Sequence, residues 1–97
     1  MLESEYQKKL IDKLKVLFPG CLILKNDSAY LQGIPDLSIF YGARWAMLEV
    51  KADENSPFQP NQPYYLELAN NMSFASVIYP SIEEDVLSAL SEAFQGV

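Results

Sequence analysis

Residues 33–51, GIPDLSIFYGARWAMLEVK, decide the fold of this 97-residue chain. Two largely apolar runs, 35–41 and 45–52, lie on either side of a short Gly-containing segment. Alternating apolar residues bounded by turn residues are typical of β-strands, and a tight turn between two strands makes them antiparallel. This stretch therefore predicts a β-hairpin whose open end carries polar side chains.

The open end of this hairpin collects three charged groups. Glu49 and Lys51 flank Val50, and residues two apart in a strand project from the same face. The hairpin brings Asp36, at the start of the partner strand, next to them. Each feature alone is ordinary surface chemistry, a solvated Glu–Lys pair or a Pro-Asp turn. Together, at the end of an apolar strand, they predict a site where carboxylates hold a divalent ion such as Mg²⁺ and Lys51 stabilises negative charge.

Helices and further strands are predicted on both sides of the hairpin. The predicted elements are a helix over 2–18, strands over 21–25, 35–41 and 45–52, a helix over 61–70, a strand over 74–79 and a helix from 81 onward. The helix before the last strand suits a crossover connection between parallel strands. The order α-β-β-β-α-β-α predicts an α/β fold with a mixed four-stranded sheet flanked by helices, in one domain over residues 1–97.

Two of the predicted helices carry apolar stripes at helical spacing. The stripe of the first helix is Leu2, Tyr6, Leu10, Leu14 and Leu17. The stripe of the last helix is Ile82, Val86, Leu87, Leu90 and Phe94. Ser81 and Glu84 have the spacing of a capping box, which predicts that this helix begins at Ser81.

The amino-acid composition excludes several kinds of catalytic and metal site. The chain has no histidine, which excludes His-ligated zinc and Ser–His or Cys–His catalysis. Its one cysteine, Cys21, lies in an apolar run and is interpreted as a small buried hydrophobe. No signal peptide and no apolar span of about 20 residues is visible, so we expect a soluble, intracellular, cytoplasmic protein.

The net charge of −6 counts against binding to nucleic acid. The basic residues, however, all lie within the first 51 residues of the chain, which permits one basic face on an acidic protein. They are Lys8, Lys9, Lys13, Lys15, Lys25, Arg44 and Lys51.

Three pieces of this sequence resemble the PD-(D/E)XK nuclease superfamily. They are Gly33-Ile34-Pro35-Asp36-Leu37, Leu48-Glu49-Val50-Lys51, and Gln62 at the start of a helix. Within the superfamily the chain is most similar to the VRR-NUC family, with its small stand-alone phage forms, and Holliday junction resolvases are a related branch. The resemblance runs from residue 3 to about residue 80. It implies a restriction-endonuclease-like α-β-β-β-α-β core and an Mg²⁺- or Mn²⁺-dependent endonuclease acting on DNA, located in the host cytoplasm if phage-encoded.

The resemblance also implies roles for individual residues. The catalytic residues would be Asp36, Glu49, Lys51 and Gln62, the last as a water-positioning group near Lys51. The metal site would comprise Glu3, Asp36, Glu49 and Val50. The DNA contacts would be Lys25, Arg44 and Lys51.

The family's first helix supplies one acid, and two residues compete for that role. Glu3 falls within the apolar stripe that packs inward, whereas Glu5 points away from it. Glu3 is therefore preferred. Both also suit the ordinary role of first-turn acids that complement the helix dipole.

The resemblance further implies branched DNA, such as Holliday junctions or flaps, as the substrate of so small a chain. A chain of this size has little surface to hold a junction, so a homodimer is expected, with Tyr64, Phe74 or Tyr79 as candidate interface aromatics. Two other functions stay open: a nicking or restriction-like nuclease without branch preference, and a non-catalytic binding module on a nuclease fold. The intact set of Asp36, Glu49 and Lys51 argues against the binding module.

Overall fold

The computed structural model, which describes residues 1–95, contains three α-helices and four β-strands. The elements are α1 Glu3–Leu17, β1 Leu22–Lys25, β2 Leu37–Tyr41, β3 Arg44–Val50, α2 Gln62–Met72, β4 Phe74–Ile78, a 3₁₀ turn Pro80–Ile82 and α3 Glu83–Ala93. Within these residues, no helix combines the length and the apolar character needed to cross a membrane.

The four strands form one mixed sheet in the order β1-β2-β3-β4. The predicted hairpin is confirmed: β2 and β3 pair antiparallel, with Leu37 opposite Leu48, and Gly42 adopts a positive φ of 61° in the turn. β1 pairs antiparallel with the other side of β2. β4 follows α2 and pairs parallel with β3, as the crossover predicts. The α/β class and the mixed four-stranded sheet are therefore confirmed.

Helices pack on both faces of this sheet. One face carries Leu37, Ile39 and Leu48, which join α1 and α3 in a single buried cluster. Side chains alternate across a strand, so Glu49 projects from the opposite face. There α2 packs against β3 and β4, and its first residue, Gln62, bonds Glu49. The sheet thus has an apolar core on one side and a polar site at the end of β3 on the other.

The apolar stripe of α1 differs from the prediction at its two ends. Leu2 and Leu17 are 66% and 46% exposed, whereas Phe18 is buried. The helix ends at Leu17, and Phe18 leaves helical geometry with φ −125° and ψ 75°. Its ring consequently turns into the core, where it packs within 5.4 Å of Tyr41 and 5.1 Å of Phe94, measured between ring centroids.

The predicted capping box at Ser81 is wrong. Pro80 opens a 3₁₀ turn that contains Ser81, so α3 begins later, at Glu83, without a side-chain cap. The Ser81 hydroxyl instead lies 3.2 Å from a carboxylate oxygen of Glu54 and donates to it. The apolar stripe of α3 nevertheless packs as predicted, with Leu90 fully buried.

Cys21 is half-buried against the core, in keeping with its interpretation as a small hydrophobe. Burial raises the pKa of its thiol above the usual value. The side chain thus contributes packing, and its thiolate form is disfavoured.

Candidate active site

Asp36 and Glu49 meet where β2 and β3 come together at the open end of the hairpin. Leu37 lies opposite Leu48 in the sheet. Asp36, the residue before Leu37, therefore lies beside the end of β3. The Asp36 Oδ2 atom accepts a hydrogen bond of 2.9 Å from the backbone N–H of Val50. The side chain of Val50 is buried in the core and its backbone amide holds the Asp36 carboxylate in place.

Asn26 fixes the chain on the other side of Asp36. Its backbone N–H donates to the Asp36 carbonyl at 2.8 Å, and its side-chain amide donates to the carbonyl of Pro35 at 2.9 Å. The same amide also donates to the Ser38 hydroxyl at 2.8 Å. Asn26 was not among the predicted site residues. Two features of the sequence could have pointed to it: an Asn directly after a strand, and a Ser inside an otherwise apolar strand.

Glu49 is a carboxylate almost completely removed from solvent, at 1% exposure. Its Oε2 atom accepts a 2.8 Å hydrogen bond from Gln62 Nε2 and lies 3.5 Å from Lys51 Nζ. Its buried Oε1 atom has no hydrogen-bond partner within the part of the chain that the structure describes. Burial, and then the nearby charge of Asp36, raise the pKa of Glu49 to about 7, and Lys51 only partly offsets them. The protein thus keeps a carboxylate in an environment that disfavours its charge.

Lys51 is equally enclosed, with 6% exposure. Its ammonium donates to Gln62 Oε1 at 2.9 Å and to the Pro57 carbonyl at 3.0 Å, and it lies 5.5 Å from the centroid of the Phe58 ring. These contacts hold a positive charge in one position beside the two carboxylates. A fixed cation of this kind suits the stabilisation of negative charge that develops during a reaction.

The Gln62 side chain forms hydrogen bonds with both Glu49 and Lys51. Its Nε2 donates to Glu49, while its Oε1 accepts from Lys51 and from the backbone N–H of Gln59, the last at 2.7 Å. An amide can do both because it carries a donor and an acceptor. The structure thereby brings together Asp36, Glu49, Lys51 and Gln62, the four residues predicted to be catalytic.

Glu3 faces this group from the first turn of α1. Its side chain is exposed, yet partial burial and the charge of Asp36 raise its pKa, against an opposing effect of Lys51. Glu3 is thus within electrostatic range of the site. Within residues 1–95, however, no three Asp, Glu, Cys or His side chains lie close enough to form a metal-binding cluster. The predicted metal residues Asp36, Glu49 and Val50 are in contact, and Glu3 lies further out.

The predicted DNA contacts lie at different distances from this group. Lys25 pairs with Leu37, the neighbour of Asp36, and is exposed at the same end of the sheet. Arg44 is at the other end of β3, five residues from Glu49, which is about 16 Å along a strand. Arg44 therefore belongs to the turn end of the hairpin and is not brought to the site.

The donor atoms present fit a hard divalent cation. Asp36 and Glu49 offer carboxylate oxygens, the ligands that Mg²⁺ prefers in proteins. The buried Oε1 of Glu49, which has no hydrogen-bond partner among residues 1–95, would supply one such oxygen.

Comparisons of the chain with protein-family models, with curated proteins and with solved structures give no match.

Proposed function

We propose that this protein is an Mg²⁺- or Mn²⁺-dependent endonuclease that hydrolyses phosphodiester bonds of DNA on a restriction-endonuclease-like core. The observation that carries the proposal is the buried Glu49, whose Oε1 has no hydrogen-bond partner in residues 1–95, beside Asp36, Lys51 and Gln62. Strongly perturbed ionisable groups at a protein surface cleft are enriched in functional sites. The α-β-β-β-α-β order and the mixed sheet support the nuclease core.

The roles follow from the chemistry of each side chain. Asp36 and Glu49 would hold the metal ion, with Glu3 as a further acid on the same side. A divalent ion held by these carboxylates would supply the polarisation of the phosphodiester and the lowered pKa of a bound water. Lys51 stabilises the negative charge that develops on the phosphate oxygens. Gln62 orients both Lys51 and Glu49, because its amide bonds each of them.

Branched DNA and a homodimer are part of this proposal. The longest dimension of the described residues is 34 Å, which corresponds to about ten base pairs at 3.4 Å per pair. A second copy would extend the surface available for a branched substrate. Of the three candidate interface aromatics, Tyr64 is 61% exposed, Tyr79 is half-buried, and Phe74 packs against the core.

The test is cleavage of a matched set of DNA molecules. Four-way junction, flap, linear duplex and single-stranded DNA of the same sequence are incubated with the protein in Mg²⁺, Mn²⁺ or EDTA. We expect cleavage in either metal, none in EDTA, and none by Asp36→Asn in any condition. Asp85→Asn serves as the control because Asp85 is an exposed acid on α3. A folded wild-type protein that cleaves none of the four DNA forms would refute the proposal and favour the binding module.

A further inference from the structure

A pocket of about 370 Å³ opens directly beside the candidate active site. Asp36 and Gln62 line it on the side of the site, and Ser28, Gln32 and Gln59 line it further out. Its volume lies in the range of about 300–1,000 Å³ that is typical of small-molecule sites. The pocket is thus large enough to take part of a substrate that reacts at Asp36.

Two loops that are distant in sequence form its walls. One loop runs over 26–36 and the other over 51–61. They touch at Gly33, where an added Cβ would lie 2.6 Å from the carbonyl carbon of Asn61, and Gly33 has a positive φ of 94°. Asn61 also adopts a positive φ, 70°, which is uncommon for a residue with a side chain. This tight contact sets the distance between the two walls.

The described residues that line the pocket include no cationic side chain to hold a phosphate group. Apart from Asp36, they offer a hydroxyl and the amides of Gln32 and Gln59, whereas the amide of Gln62 is already bonded within the site. Amide side chains instead match the donor and acceptor pattern on the edge of a nucleobase, as Gln does with adenine. The lining therefore fits a base better than it fits the DNA backbone.

Each wall also carries an exposed aromatic residue that is next in sequence to a residue lining the pocket. Tyr30 is 89% exposed and follows Ala29, which lines the pocket. Phe58 is 47% exposed and precedes Gln59. Rings this exposed contribute little to the core, but they offer faces on which bases can stack, as in proteins that bind single strands.

We infer that this pocket binds an unpaired nucleobase next to the scissile phosphate, and this inference rests on the proposed nuclease function. A base inside a duplex has its edge bonded to the partner base and its faces covered by neighbours, so it cannot enter. The substrate class that follows is DNA with unpaired nucleotides at the branch, such as a flap, in preference to a fully paired four-way junction.

The first measurement is binding, which does not depend on cleavage. Fluorescence anisotropy in EDTA compares flap, four-way junction and linear duplex DNA with wild-type protein and with Tyr30→Leu and Phe58→Leu. Phe40→Leu is the matched control, since Phe40 is 40% exposed on β2, away from the pocket. We expect wild type to bind the flap at least about tenfold more tightly than the paired forms. Each pocket variant should lose about tenfold in affinity for the flap, as expected for one stacking contact, and little for duplex.

The second measurement is single-turnover cleavage of the same DNA in Mg²⁺, which separates failure of the inference from failure of the function. Wild type that cleaves DNA but prefers the paired junction, or pocket variants that resemble Phe40→Leu, would overturn the pocket assignment and leave the nuclease proposal intact. Flap-selective binding that the pocket variants weaken, without any cleavage, would retain the pocket and refute the nuclease. Thermal unfolding of each variant verifies that it is folded. Tyr30→Trp, which keeps a ring, should restore binding to the flap.

Discussion

Replacing Glu49 by Gln should stabilise the protein when no metal ion is present. In the folded protein, burial and the charge of Asp36 raise the pKa of Glu49 from 4.5 to about 7. The folded state therefore favours the protonated carboxyl, and the stability that protonation provides is complete below pH 4.5 and is lost as the pH rises through about 7. Gln has nearly the same shape as Glu but carries no charge. The Glu49→Gln variant therefore does not lose this stability as the pH rises.

The size of the effect follows from the shift in pKa. Each unit corresponds to about 1.36 kcal/mol, so ionised Glu49 lowers the free energy of unfolding by about 3 kcal/mol at pH 8. The Lys51 ammonium is 3.5 Å away, and its attraction is already included in that pKa. For a domain of this size, about 3 kcal/mol corresponds to a rise in Tm of at least about 10 °C.

Urea denaturation in EDTA, at pH 4 and at pH 8, measures this difference. Glu49→Gln should exceed wild type by about 2–3 kcal/mol at pH 8 and match it at pH 4, where Glu49 is protonated in both states. Glu92→Gln is the control, because Glu92 is an exposed residue of α3. Adding Mg²⁺ should stabilise wild type and leave Glu49→Gln nearly unchanged. If Glu49→Gln is no more stable than wild type at pH 8 in EDTA, then ionised Glu49 does not lower the free energy of unfolding, and the prediction is wrong.

Three further predictions concern the site and the loop that supports it. Lys51→Ala should lower single-turnover cleavage by about 10²-fold, as for the loss of one electrostatic stabiliser, while calorimetry still detects metal binding. Glu3→Gln should reduce cleavage far more than Glu5→Gln, because the Glu3 carboxyl is within electrostatic range of Asp36; the opposite order would mean that Glu5 is the helix acid. Gly33→Ala should destabilise the fold by more than about 1 kcal/mol in urea denaturation, because an L residue is strained at its φ of 94° and its Cβ would meet backbone at 2.6 Å. Gly20→Ala, at a φ of 85° but with open space around it, should cost less.

The sequence by itself determined the elements and the local part of the site. Alternation of apolar residues and a Gly-containing turn specify the β2–β3 hairpin, because strand pairing across a short turn is a local interaction. The same locality makes the meeting of Asp36, Glu49 and Lys51 predictable, since their positions depend only on hairpin register and strand alternation. The α/β class followed from the order of the elements in the same way.

Tertiary structure decided the environment of those charges. Alternation places Glu49 on one face of β3, but only the packing of α2 removes it from water and leaves Oε1 without a partner. Likewise, Phe18 enters the core in place of Leu17 because α1 ends at Leu17 and Phe18 leaves helical geometry. Periodicity gives the direction of a side chain only while the helix continues, and it carries no information about what will cover that side chain.

The pocket beside Asp36 belongs wholly to the tertiary structure. Its walls come from two loops separated by strands β2 and β3, and they meet where Gly33 lies against Asn61. No periodic pattern relates two such loops, because their contact depends on how α2 docks on the sheet. Gln32 and Gln59, which belong to no predicted motif, thereby become neighbours of the active site. The sequence therefore determined which charged groups meet, and the long-range packing decided their burial and the cavity beside them.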